Sequence, residues 1–154
     1  MRLFRTDDGC LYLGTYRSRR HAEVVMHAIW DAVPFRRCLT RGGARSAACN
    51  YAQLGVAVCP CDGGVTEKAY AAIVTELEHG VTADPEALLA PLTERMVNHA
   101  RNERFEDAAT LRDRHRALGR SLERRRAGQA LQGAGMLWAE DDNGDRALVD
   151  NGRL

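Results

Sequence analysis

Residues 84–122 read DPEALLAPLTERMVNHARNERFEDAATLRDRHRALGRSL, and two apolar stripes at helical spacing run through them. The first is Leu88, Leu89, Leu92, Met96 and Ala100; the second is Phe105, Ala108, Leu111, His115, Leu118 and Leu122. Asp84 and Pro85 supply a cap residue and a proline at the first helical position. Only the polar stretch Asn102 to Arg104 separates the stripes, so the two helices fold back antiparallel, the arrangement that buries each stripe against the other. Two helices without a third layer are marginally stable alone. The hairpin is therefore expected to pack on a partner, a second copy of itself or another part of its own chain.

Upstream, Cys10 to Tyr16 alternates and ends in a turn, which predicts a short strand. Ser18 then caps a helix to Ala32 carrying Ala22, Val25, Met26, Ile29 and, just beyond it, Val33, and Pro34 stops it. Thr66 caps a further helix with Tyr70, Ile73, Val74 and Leu77, which Gly80 is expected to close. Between them, Phe35 to Gly64 has no sustained period and reads as an irregular loop in need of a staple. Beyond Gly128 the pattern predicts strand, Asn143-Gly144 turn, strand and a second Asn151-Gly152 turn, because Asn-Gly accepts positive φ angles at low cost. The predicted class is mainly α with small β elements (α+β): an N-terminal strand and helix, a cysteine-rich loop region, an antiparallel helical hairpin and a C-terminal β-hairpin. At 154 residues the chain is long enough for one modest core or two small ones.

Four of the five cysteines, Cys38, Cys49, Cys59 and Cys61, fall in the aperiodic stretch. No run is long and apolar enough to span a bilayer and the first residues lack the apolar stretch of a secretion signal, so no membrane is expected and the place predicted is the cytoplasm. In that compartment disulfides are not the usual fate of such thiols. Four thiolates ligate zinc or an iron-sulfur cluster, and either supplies order that the local sequence lacks. The spacing, C-x10-C-x9-C-x-C, is not that of paired zinc knuckles, and three states stay open: zinc, an iron-sulfur cluster, or no cofactor and free thiols. Cys10 reads as a buried small apolar residue of the strand.

The formal net charge is only +1, yet Arg17, Arg19, Arg20, Arg36, Arg37, Arg41 and Arg45 crowd the first third with few acids beside them. They form a candidate nucleic-acid-binding surface, or else a solvated arginine-rich face. Asp141, Asp142 and Asp145 invite a two-metal nuclease reading, but they flank an Asn-Gly turn, where acids serve local hydrogen bonding. No P-loop, dinucleotide turn, nucleophile elbow or H-E-x-x-H is present, and no residue is assigned a catalytic role.

Residues 92–118, LTERMVNHARNERFEDAATLRDRHRAL, resemble the UVR motif of the UvrB and UvrC excision-repair proteins at Met96, Ala100, Phe105, Glu106, Ala108, Ala109, Leu111, Arg112, Asp113 and Leu118. Upstream, YLGTYRS (12–18), VPFRRC (33–38), ACNYAQLG (48–55) and CPCDGGVTEKAYAAIV (59–74) are similar, in order, to the UvrC region that follows its GIY-YIG nuclease domain. CLYLGTYRSRRHAEVVMHAIWDAVPFRRC (10–38) is most similar to composite proteins that join a polymerase-III-epsilon-type exonuclease to a UvrC-like part. The resemblance, which covers roughly residues 10–122, implies three segments: 1–34 as a remnant of the end of a GIY-YIG-type domain, 35–82 as a cysteine-rich UvrC-like segment and 84–126 as the UVR hairpin. The turn pattern adds 133–154 as a truncated β-hairpin domain.

It implies partner contacts by Met96, Phe105, Glu106, Ala109, Arg112 and Asp113, the partner being a UvrB-like or other UVR-bearing protein, with a homodimer through the hairpin as a further arrangement. DNA is the implied second partner. Cys38, Cys49 and Cys61 fall on cysteines that hold an iron-sulfur cluster in UvrC-type proteins, whereas the fourth position falls on Ala57, two residues before Cys59. The catalytic residues of both UvrC nuclease halves are not matched. The expected function is therefore a non-catalytic DNA-repair accessory; the alternatives are a nuclease subunit completed by another chain and a metal-binding adaptor of protein quality control.

Overall fold

The computed structural model describes residues 10–38 and 47–152. Among them are five helices, α1 (Arg19–Ala32), α2 (Asn50–Gln53), α3 (Glu67–Thr82), α4 (Glu86–Arg101) and α5 (Phe105–Gly133), a 3₁₀ turn at Pro60–Asp62, and strands β1 (Met136–Glu140) and β2 (Arg146–Asp150). This is the mainly α architecture with a small β element that the periodicity predicts. No helix of the described residues is long and apolar enough to cross a membrane.

Local chemistry sets most boundaries. The Ser18 side chain accepts a hydrogen bond from the His21 N–H and opens α1. At the other end Val33, directly before Pro34, is driven into the extended region (φ −128°, ψ 129°), and the helix stops. Thr66 caps α3 by accepting from the Ala69 N–H. The Asp84 carboxylate accepts from the Glu86 N–H at the start of α4. The α4–α5 turn at Asn102–Arg104 includes Glu103 at φ 59°, a left-handed conformation that an L-residue adopts at some cost.

One core holds the helices together. Val25, Ala28, Ile29 and Val33 from α1 and its end, Val81 from α3, Leu88 and Leu92 from α4, and Leu111, Ala117, Leu118 and Leu122 from α5 are all buried in it. The hairpin is thus not left as a bare pair: α1 packs on both α4 and α5 and forms the third layer, so the chain itself covers much of the apolar stripe. An ion network fixes the joint. The Asp31 carboxylate on α1, whose side chain is 12% exposed, accepts from Arg114 Nη1 at 2.6 Å and lies 3.7 Å from Arg95 Nη1.

Three expectations are corrected. Cys10 to Tyr16 forms no strand, because a ladder needs a partner and the one sheet among the described residues is β1 paired with β2. Gly80 does not close α3, which runs on to Thr82; it is buried against α4, where a Cβ would collide with the Leu88 side chain. Helix α5 does not end near Gly128 but continues to Gly133, its last two turns leaving the core.

The β-hairpin pairs Met136 with Asp150 through Glu140 with Arg146 in antiparallel register. Its connection is longer than a two-residue Asn-Gly turn. Gly144 (φ 84°) takes the positive φ while the Asp141 carboxylate accepts from the Asn143 and Asp145 N–H groups at 2.9 Å each. At the second turn both Asn151 (φ 49°) and Gly152 (φ 77°) adopt the positive φ that Asn-Gly predicts.

Candidate functional site

The aperiodic segment has few apolar residues to bury, and its order comes from sulfur and backbone contacts. Directly after α1, the Val58 N–H donates to the Pro34 carbonyl at 2.6 Å and the Arg36 N–H donates to the Tyr70 hydroxyl of α3 at 3.3 Å. These bonds bring the chain around Cys38 next to the 3₁₀ turn that carries Cys61. The short helix α2 begins at Cys49, whose N–H donates to Cys61 Sγ at 3.3 Å.

The four sulfurs of Cys38, Cys49, Cys59 and Cys61 lie within 4.8 Å of one another, those of Cys38 and Cys59 at 3.2 Å. Cys59 and Cys61 are buried; Cys38 and Cys49 are half-buried. Burial, reinforced by the neighbouring sulfurs, pushes the Cys59 thiol up to about 12, whereas the Cys49 N–H, aided by the neighbouring thiols, lowers Cys61. A bound cation reverses the penalty on Cys59 by stabilising its thiolate directly. The donor set fits a metal. It also answers the question left by the sequence pattern: Ala57 is buried beside the site while Cys59 provides the fourth sulfur. Cys10 lies outside the cluster and is exposed rather than buried, a correction that follows from the absence of a strand at residues 10–16 to bury it.

The arginines of the first third divide into two groups. Arg17, Arg19 and Arg20 are exposed at the start of α1, with Arg19 bonded to Glu23. Arg36 and Arg37 turn inward: Arg36 Nε donates to the Cys38 carbonyl at 3.0 Å, and Arg37 donates from Nη2 to the Trp30 carbonyl at 2.6 Å with its guanidinium over the Trp30 ring. Burial lowers the pKa of Arg37. Arg41 and Arg45 lie outside the described residues.

At the far end of the hairpin, Phe105 opens α5 with 67% of its surface exposed. Glu106, Arg112 and Asp113 are exposed too, the last two bonded to each other; Met96 and Ala109 are half-buried. The adjoining side chains are engaged within the turn, with Asp107 bonded to Arg104 and 3.8 Å from His99. Asp141 is committed to the β-turn, and backbone N–H donors hold its carboxyl below the usual carboxylate range. Sequence periodicity did not single out Asp31; its only signal was an acid inside an otherwise apolar helix face.

Four converging thiols beside a helical core whose hairpin carries an exposed aromatic at its tip define a small, mainly helical unit with a candidate four-cysteine metal site. Residues 1–79 match the family model described as UvrC/Cho excinuclease, middle domain. UvrABC system protein C of Nitratidesulfovibrio vulgaris is 36% identical over 138 residues, covering 89% of this chain and 20% of that protein. The same-named proteins of Nautilia profundicola and Syntrophotalea carbinolica are 34% identical over 113 residues (70% of this chain, 17% of that protein) and 30% over 124 (80% and 20%). No solved structure matches. This chain belongs to the UvrC family of excision-repair proteins. It spans about a fifth of the length of the relatives it matches, and an alignment over 89% of it necessarily includes the hairpin.

Proposed function

We propose that this chain acts by contact rather than by catalysis: it docks a UvrB-like or other UVR-bearing protein through the hairpin tip and presents basic surface to DNA. One observation carries the docking half. Phe105 is two-thirds exposed on an ordered helix start, while the root of the same hairpin, at Leu88, Leu92, Leu118 and Leu122, is sealed by α1. An aromatic left in water beside a ring of charged groups is the usual form of an interface anchor. Glu106, Arg112 and Asp113 are exposed along the same helix and supply the polar part of the proposed surface, with the half-buried Met96 and Ala109 as further contacts.

The cysteine cluster is proposed to hold one structural metal ion rather than to take part in chemistry. Around a single tetrahedral ion with bonds of about 2.3 Å, four sulfurs stand about 3.8 Å apart, inside the 4.8 Å envelope seen. Sulfurs bound to separate irons of a cluster need a wider setting. Zinc is the ion this donor set suits.

The docking test is binding of purified chain to a UvrB-like protein by calorimetry. Phe105→Ala is expected to weaken binding at least tenfold while shifting the melting midpoint little, because the ring makes little contact within the fold. Unchanged affinity would remove the assigned role of the turn.

A further inference from the structure

A groove runs between the segment before α1 and the outer part of α5, on residues other than the cysteines and the hairpin tip. Two adjoining cavities of about 220 and 510 Å³ share Thr15, Tyr16 and Arg124. Tyr12 and Gln132 line the first; Arg17 and His21 line the second. Tyr16 and His21 stand edge to face, 5.6 Å between ring centroids, and make one aromatic wall.

The charge around the groove is one-sided. Residues 10–22 contain Arg17, Arg19 and Arg20 and no acid. On the outer part of α5, residues 120–133 contain Arg120, Arg124, Arg125 and Arg126 against Glu123 alone. Among the described residues neither Arg17 nor Arg124 pairs with a carboxylate, and Arg124 makes its hydrogen bond to the Ser121 hydroxyl at 3.1 Å. Helix α1 starts beside the groove with no acidic residue in its first turn. Holding these like charges together costs free energy that an anion lying between them recovers.

We propose that this groove binds single-stranded nucleic acid, Arg17 and Arg124 each taking a phosphate and the Tyr12, Tyr16 and His21 rings giving the bases flat faces to meet. Arginine forks match phosphate oxygens, and a basic channel interleaved with aromatics is the chemistry that holds an unpaired strand. A duplex keeps its bases stacked inside and cannot use the rings. This rests on the DNA side of the proposed function, with which it shares Arg17, and adds Tyr12, Tyr16, His21 and Arg124. Loss of binding on changing Arg19 and Arg20 but not Arg17 and Arg124 separates the failure of the groove from the failure of that reading.

The experiment is fluorescence anisotropy of the full chain with a labelled oligothymidylate across a salt series. Arg17→Ala with Arg124→Ala is expected to weaken binding at least tenfold and to flatten the slope of log affinity against log salt by about 1.4, at about 0.7 per released phosphate contact. Tyr16→Leu is expected to weaken binding severalfold and leave that slope unchanged. Circular dichroism confirms that each variant is folded; Arg17→Lys with Arg124→Lys, which keeps the charge, should restore the slope. If the alanine pair binds like the parent while Arg19→Ala with Arg20→Ala loses binding, the groove is wrong and the general basic surface stands. If inorganic polyphosphate or a duplex of equal charge binds as tightly as the single strand, the role of the rings is overturned. Phe105→Ala should leave this assay unmoved.

Discussion

The helical core and the cysteine segment reach order by different routes. In the core, α1, α3, α4 and α5 bury leucine, valine and alanine against one another; each carries its own periodic stripe, and Ser18, Thr66 and Asp84 cap the first three. Between α1 and α3 the described residues form only a four-residue helix and a 3₁₀ turn. What converges there is four sulfurs, a few backbone hydrogen bonds and the contact of Arg37 with Trp30. Burial of apolar surface is spread over many residues, so the core tolerates loss of any one at a finite cost. The four thiols are concentrated: with the proposed metal bound, each would be a large fraction of what orders the segment. The two regions therefore differ in what breaks them, and in whether the break spreads.

The largest effect expected is at the thiols. Cys61→Ser, or exposure of the parent to a strong chelator, should abolish bound metal by elemental analysis and raise amide exchange across residues 47–63 by orders of magnitude. The free energy at stake is of the size of structural zinc binding, about 10 kcal/mol or more. Exchange in α4 and α5 should change little. If the whole chain unfolded together, the two regions would be one cooperative unit and the contrast would be lost.

Leu118→Ala attacks the other side. Leu118 is fully buried between α5 and the helices facing it, and its truncation should lower unfolding free energy by about 2–5 kcal/mol in a denaturant titration. Metal content should be retained in the folded fraction. A finding of equal metal loss would show that the core holds the cysteines in place.

Gly80→Ala is the smallest and most diagnostic. Helix propensity favours alanine by up to about 1 kcal/mol, whereas the new Cβ meets Leu88 and overpacking costs about 1–3 kcal/mol. The net expectation is a loss of about 1 kcal/mol by thermal melting. A stabilised variant would mean that α3 can move away from α4 freely, and that the link between the cysteine segment and the core is looser than the close approach implies.

Much of this was legible beforehand for a physical reason. Ser18, Thr66 and Asp84 act within a few residues of themselves, and a cap signal is complete in the local sequence. Pro34 limits Val33 in the same way. The stripe at Leu111, Leu118 and Leu122 announces a buried helix face at whatever angle the helices cross. The short strand at Cys10 to Tyr16 went the other way, since alternation permits a strand but a partner creates one. Gly80 looked like a helix stop because a glycine that ends a helix and one that lets another helix approach read alike in sequence.

By itself, then, the sequence determined the four long helices, the caps at Ser18, Thr66 and Asp84, the antiparallel hairpin, the second Asn-Gly turn and the set of candidate ligands, all of which depend on neighbours in the chain. Tertiary structure alone decided that α1 supplies the hairpin's third layer and that Asp31 meets Arg95 and Arg114. It also decided that Cys59, not the Ala57 position, completes the four sulfurs, and that Arg36 and Arg37 turn inward while Arg17 meets Arg124 across a groove. Each of these joins residues far apart in the chain, where no local period or spacing carries the information and only the packing of one apolar face on another fixes who meets whom.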